Sequence, residues 1–339
     1  MERVTSTAYA RAGLLGNPSD GYGGKAIGLC LDDLRAEVHI EAAERFHVGN
    51  SDGSRRPFAS LGVARRELGS ETLDEGAALL LAALNRFCLD HPEIGERDPD
   101  DPALGFSIRF ATNIPRQVGL AGSSAIVIAA LRSLARWFEV DLPADRLAKL
   151  ALLAETEDLN IPAGPMDRIV QAHEGLLAMD LAEPGNVSTY WSLDPDTLPP
   201  LFLAWDPRGG KPSGDAHADL KQRWRARDPR VMTTIEAFRE LVDEGLTFLE
   251  RGDHAKFCEA MNRNFTLRQS IFSVSPNDLE MAEIANQHGA SAKLSGSGGA
   301  VVGAMVGGDD FARLEEAYRS AGYAFRRPRP KRANDGKAQ

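Results

Sequence analysis

The chain has 339 residues, 43% of them hydrophobic and 26% charged, with 49 acidic against 39 basic side chains and a net charge of -10 at pH 7. That length accommodates one large or two ordinary globular domains with a sizeable core, and the acidic balance disfavours a nucleic-acid partner, whose phosphates call for a basic face. No apolar run approaches the ~20 residues of a bilayer span and the start Met1-Glu-Arg-Val-Thr5 has no apolar signal core, so a cytoplasmic protein without a membrane partner is expected.

In chain order, residues 10–20 read as a turn-rich stretch leading into alternating runs such as 37–42, which have the period of a strand with one buried face. Residues 71–89 are rich in helix formers, and the acid- and proline-laden stretch 90–102 breaks them into a surface loop. Residues 105–112 alternate again, end at Asn113-Ile-Pro115, and run through a loop holding Gly119 and Gly122 into a helix over 123–137. Helices are expected over 144–159 and 166–173, with strands near 175–180 and 201–205. Beyond Asp206 the spacing is helical over 215–227, 229–245, 253–272 and 277–288; a glycine turn then feeds an apolar strand, a helix over 309–321 and a last short strand. This division sets an α+β nucleotide-binding domain at 1–205, a C-terminal α+β domain at 206–325, and a basic, flexible tail at 326–339. Cys30, Cys88 and Cys258 are far apart in apolar stretches, which suits reduced, buried thiols.

Four segments carry chemistry. Gly119-Leu-Ala-Gly-Ser-Ser-Ala125 follows a strand and opens an apolar helix, so its backbone N–H groups and helix dipole converge where a phosphate can sit. Ser123 and Ser124 can cap that helix or offer hydroxyls to phosphate or magnesium; taken alone, the segment reads equally as an ordinary capped helix. It lacks the Gly-Lys-Ser/Thr of a Walker A loop and the Gly-x-Gly-x-x-Gly of dinucleotide folds, so both classes recede. Ser295-Gly-Ser-Gly-Gly299 precedes a strand, and alone it is a tight turn. Glu155 and Asp167 are carboxylates on either side of the break Ile161-Pro-Ala-Gly-Pro165; one can hold magnesium and the other can steer the proton of an attacking hydroxyl, though in isolation either suits an exposed helix position. Arg11 and Asp20 bracket Gly13-Leu-Leu-Gly-Asn-Pro-Ser19, where a guanidinium can stabilise a transferring phosphoryl group and Asn17, Ser19 and Asp20 suit sugar hydroxyls; local turn bonds account for them as well.

The glycine-bearing segments, in this order and at these separations, resemble the GHMP kinases, the superfamily of galactokinase, homoserine kinase, mevalonate kinase and phosphomevalonate kinase. Pro115 with Gly119, Leu120, Ala121, Gly122, Ser123, Ser124 and Ala125 is similar to its second motif, the phosphate loop, with Ala121 replacing a usual glycine and Ile126 a usual alanine. Residues 294–300, with Gly296, Ser297 and Gly298, are similar to its third motif, and residues 11–20 to its first, which lines the acceptor site. Within the superfamily, residues 10–20, with Asn17-Pro18 where galactokinases hold Glu-His, resemble glucuronokinases; so do residues 112–127, Met166-Asp-Arg168 and the segment around Gln222-Arg-Trp224. The likeness covers roughly residues 8–306.

The resemblance implies an α+β fold with an N-terminal ribosomal-protein-S5-like domain, a C-terminal ferredoxin-like domain and a cleft between them. It implies ATP and Mg2+ as cofactors and a small-molecule sugar or uronic acid as substrate, foremost D-glucuronate converted to glucuronate 1-phosphate. Galacturonate, a neutral hexose or a heptose is the alternative acceptor, a non-catalytic sugar and nucleotide sensor is a different class, and the assembly is a monomer or homodimer. Residue by residue it implies Asp167 as catalytic carboxylate, Arg11 as transition-state cation, Ser124 and Glu155 on the magnesium side, Pro115 and residues 119–125 around the nucleotide, and Asn17, Ser19, Asp20, Gly296, Ser297 and Gly298 around the acceptor. A glucuronate carboxylate needs a cationic partner, for which Arg116, Arg168, Lys211 and Arg223 are candidates.

Overall fold

A computed structural model describes residues 3–70, 72–97, 104–181, 188–209, 214–307 and 311–333. Its two compact units do not follow a single cut at 205/206: the first comprises Met1–Ala10, Leu34–Ile114 and Gly122–His173, the second Arg11–Asp33, Pro115–Ala121 and Glu174–Gln339. Two long strands, β1 (Arg3–Leu15) and β2 (Lys25–Ala42), contribute residues to both units. The stretch expected as a turn from residue 10 onward is strand as far as Leu15, because the small side chains of Ala10, Ala12 and Gly13 fit a fully buried run. The turn begins at Gly16, whose φ of +90° and whose clearance, an added Cβ falling 2.0 Å from the Lys25 carbonyl oxygen, admit no other residue.

The first unit adds β3 (Phe46–Gly49), β4 (Arg55–Phe58) and β5 (Phe106–Thr112): β5 runs antiparallel to residues 36–42 of β2 and parallel to β3, which pairs antiparallel with β4. Its helices are α1 (Leu61–Arg66), α2 (Glu75–Asp90), α3 (Pro92–Gly95), α4 (Gly122–Trp137), α5 (Ala144–Leu153) and α6 (Met166–His173). Asp74 caps α2 through the amides of Gly76 and Ala77. The expected loop after it contains the single turn α3, which Pro92 starts at its first position. Helix α4 packs against α2, α5 and α6, and its buried face includes Ala125, Val127, Ile128 and Leu131. The helix expected over 144–159 changes character at Leu153, where a π-helical turn, Ala154–Asp158, follows α5.

In the second unit, residues 25–29 of β2 pair antiparallel with β6 (Leu176–Asp180), and β6 with β7 (Thr189–Leu193). A separate antiparallel sheet has β8 (Leu201–Trp205), β9 (Ser291–Leu294), β10 (Ala300–Ala304) and β11 (Ala324–Arg326) in the order β11-β8-β10-β9. The unit also holds α7 (Gly214–Arg225), α8 (Pro229–Glu250), α9 (His254–Ile271), α10 (Pro276–Gln287) and α11 (Phe311–Ser320). Phe202, Met281, Val301, Leu314 and Tyr318 form the core where helices cover this sheet. Residues 329–331, within the stretch expected as a flexible tail, join residues 30–32 through a single isolated bridge: the Asp32 amide donates to the Arg329 carbonyl and the Lys331 amide to the Cys30 carbonyl. The three cysteines are free and buried, and among the described residues no helix is long and apolar enough to cross a membrane.

Candidate active site

Within the second unit the structure brings the first motif, loop 115–121 and the third motif together. Arg11, 3% exposed on β1, donates its backbone N–H to Leu120 O at 3.1 Å and Nη1 to Ser295 O at 2.6 Å and Gly119 O at 3.3 Å. Gly13 N–H reaches Ser295 O at 2.8 Å, and Ser295 Oγ donates to Gly119 O at 3.2 Å. The turns touch so closely that a Cβ on Gly296 would stand 2.2 Å from Gly119 O. Ala121, in the place of a usual glycine, holds the glycine-like φ of +59°.

The first-motif residues expected around the acceptor sit in a hydrogen-bonded network of the second unit. Asn17 is buried, and its Oδ1 accepts from Lys293 Nζ, which also donates to Gly13 O at 2.6 Å and Leu294 O at 2.7 Å. Asn264 of α9 accepts from Gly16 N–H at 2.7 Å and donates to Asn17 O at 3.2 Å. Ser19 Oγ donates to Lys25 O, and Asp20 lies on the short 3-10 turn Ser19–Tyr22. Tyr22 packs on Trp224 of α7 with ring centroids 5.7 Å apart, so the Gln222-Arg-Trp224 segment supports this turn by packing. Burial, with the charges of Arg268 and Arg11 beside it, pulls Lys293 well below the usual lysine value; burial lowers Arg268 to about 10, while burial and then Asp20 raise Tyr22 to about 12.

Pro115, Arg116, Gln117 and Val118 line a pocket of about 340 Å³ with residues 205–209. Arg116 is exposed there. Arg208, in the same lining, is tied to Asp206, whose carboxyl its hydrogen bonds hold down at about 2.

The first unit holds a different set. Glu155, on the π-helical turn, is fully buried; Oε1 accepts from Ser123 Oγ at 2.7 Å, and Oε2 accepts from Arg168 Nε at 2.7 Å and from its Nη2. Ser124 is likewise fully buried on the first turn of α4. Asp167 is the second residue of α6, its side chain 18% exposed and 3.6 Å from Arg168 Nη1. Arg168, considered for a substrate carboxylate, is instead buried and committed to Glu155 and the Gly164 carbonyl, because an enclosed Glu155 requires a counter-charge. Arg223 is tied to Asp228 and Ile271 O, and Lys211 lies outside the described residues.

Sequence reasoning missed Asn264, Arg268, Asp278 and Lys293. Asn264 and Arg268 sit four apart on the stripe of α9 that otherwise buries Phe257, Met261 and Phe265, so two polar residues on an apolar face were the available signal.

Two family models match the chain: the GHMP kinases N terminal domain over residues 78–175 and the GHMP kinases C terminal domain over residues 246–326. Glucuronokinase 1 of Arabidopsis thaliana is 34% identical over 332 residues, 95% of this chain and 91% of that protein. Probable glucuronokinase 2 of the same plant is 34% identical over 328 residues, 93% and 88% of the two chains. Among solved structures, Methanococcus jannaschii mevalonate kinase superposes with a TM-score of 0.75 at 17% identity, covering 98% of this chain and 99% of that one. Lactococcus lactis galactokinase, complexed with galactose, gives 0.76 at 13% identity over 99% and 95%. These two likenesses show the fold. The family models and the 34% identity across nearly the whole length show descent as well: the chain belongs to the GHMP kinase family and is an ATP-dependent sugar kinase.

Proposed function

We propose that this kinase transfers the γ-phosphate of ATP to the anomeric hydroxyl of D-glucuronate, releasing ADP and glucuronate 1-phosphate. The observation that carries the reading is the 34% identity to a glucuronokinase over 95% of the chain. Asp167 takes the proton of the attacking hydroxyl as the new O–P bond forms and the bond to the β-phosphate oxygen breaks. Pro115 and residues 119–125 bind the nucleotide phosphates, with backbone N–H groups and the start of α4 as donors. Arg11, bonded to the Gly119 and Ser295 carbonyls, lends that loop positive charge. Asn17, Ser19, Asp20 and residues 296–298 surround the acceptor.

Magnesium, when bound with the nucleotide, neutralises charge on the transferring phosphate. Its protein-side oxygens would be Ser124 and Glu155; Glu155 Oε1, which accepts one hydrogen bond, has a lone-pair site left while Oε2 is filled by Arg168, and Mg2+ characteristically takes only one or two protein ligands. For the acceptor's carboxylate we assign Arg116, an exposed cation of the pocket beside the loop, since Arg208 of the same pocket is paired with Asp206.

The test is ATP consumption with magnesium against a panel of uronic acids and neutral sugars, with phosphorus NMR locating the new phosphate. Turnover on glucuronate with phosphate at C1 is expected. Preference for galacturonate, a neutral hexose or a heptose would reassign the acceptor, and ATP binding without turnover on any sugar would favour a sensor.

A further inference from the structure

Arg268 holds the third glycine turn by its backbone. Its guanidinium, 1% exposed, donates Nη1 to Gly296 O and Nη2 to Ser297 O, each at 3.0 Å, and lies 4.6 Å from the centre of the Phe272 ring. Asp278 of α10 takes the next free amide, Gly299 N–H, at 2.8 Å. In a trans peptide the C=O of one residue and the N–H of the next point in opposite directions. Pulling the carbonyls of Gly296 and Ser297 onto Arg268 therefore turns the N–H groups of Ser297 and Gly298 away from it. Among the described residues neither amide meets an acceptor, and both residues are only half-buried.

The charge of Arg268 points the same way. No carboxylate forms an ion pair with it among the described residues; Asp278 and Asp20 act on it from further off, and Nε is buried without a partner. A buried guanidinium is costly unless charge or hydrogen bonds compensate it, and two carbonyls compensate it only in part. A fork is also the shape that reaches two adjacent carbonyls at once, which a lysine cannot reproduce. One helical turn earlier, Asn264 anchors Gly16 and Asn17 of the first motif, so a single face of α9 sets both segments.

We infer that Arg268 is a positioning residue that presents the Ser297 and Gly298 amides as a donor pair for an anionic oxygen, either a phosphate oxygen of the nucleotide or the carboxylate of the acceptor. The inference rests on the kinase reading above, and its test does not depend on which sugar is phosphorylated. Protein labelled with 15N at serine and glycine is titrated separately with a non-hydrolysable ATP analogue and with glucuronate, for wild type, Arg268→Lys and Arg268→Gln. In wild type both amides shift with one of the two ligands, and that ligand identifies the anion. In Arg268→Lys the response shrinks and the KM for that ligand rises about tenfold, the scale of one hydrogen bond to a charged group, while the other KM moves less than about twofold and the melting temperature holds. Amides that ignore both ligands in wild type, or respond in the variants as in wild type, overturn the inference; so does a loss of activity that follows only the melting temperature. If glucuronate proves not to be a substrate, the ATP-analogue titration still decides: a response lost in the variants upholds the inference and an unaltered one ends it. Should neither variant fold, the wild-type titration stands alone, and silent amides overturn the proposal.

Discussion

The two sets of candidate site residues are built from different materials. In the second unit, the hydrogen bonds given by the side chains of Arg11, Arg268 and Lys293 go mostly to main-chain oxygens: those of Gly119, Ser295, Gly296, Ser297, Gly13 and Leu294. In the first unit, Ser123, Glu155 and Arg168 are bonded chiefly to one another's side chains. The difference teaches where substitution should hurt. A peptide group cannot be deleted by mutation, only redirected, so damage to the glycine turns should be graded. A side-chain network can lose a member outright, and in a buried setting the members left behind remain desolvated and unpaired.

The largest effect expected from this contrast belongs to Asp167→Asn. The substitution keeps the shape of a partly exposed side chain at the start of α6 and removes its capacity to accept a proton. Turnover should fall about 10²- to 10⁴-fold, with nucleotide affinity and melting temperature close to wild type, as read by steady-state kinetics and ATP-analogue titration. Unchanged turnover would break the comparison at its functional end, leaving the first unit's side chains with a structural role alone.

Arg168→Met comes next. It strands the Glu155 carboxylate, which is fully buried, with only the Ser123 hydroxyl for company. Breaking a buried pair from one side costs about 3–5 kcal/mol, so the urea midpoint of the unfolding step should drop sharply. Replacing both partners, Arg168→Met with Glu155→Leu, should recover most of that loss, because no charge then remains buried alone. A single substitution costing under ~1 kcal/mol would show that water or the polypeptide relaxes around Glu155, and the side-chain network would then be no more brittle than the backbone one.

Much of this architecture is legible in the residues themselves, and the exceptions have physical causes. The apolar run behind β10 and the strand, glycine loop and helix around α4 follow from local pattern, and so does the order of the three motifs. The extension of β1 past Ala10 is hidden because alanine and glycine have little intrinsic preference for strands, and only burial on both faces selects that state. The π-helical turn that carries Glu155 has no sequence signature, and its ion pair joins residues thirteen apart, beyond any helical spacing. Arg168 could be noticed as a cation near a motif, yet its burial, which removes it from substrate recognition, depends on tertiary packing. The docking of residues 329–331 beside Cys30–Asp32 is likewise a long-range pairing that a Pro- and Arg-rich composition argues against.

The smallest effect, and the sharpest test of the backbone half of the comparison, is at Ala121. Its φ of +59° costs an L-residue about 1–2 kcal/mol, and a glycine there removes that strain while widening the unfolded ensemble by about 0.4–1 kcal/mol. Ala121→Gly should therefore leave stability unchanged or raise it by up to ~1.6 kcal/mol in denaturant unfolding. Ala121→Val, with a branched Cβ in the same left-handed conformation, should lower it by more than ~1 kcal/mol. That ordering, glycine at or above alanine and valine well below, is what a site governed by main-chain conformation produces. A clear loss on Ala121→Gly would mean instead that the alanine methyl contributes packing the strain does not cancel, and that side-chain contacts matter in the second unit's turns as they do around Glu155.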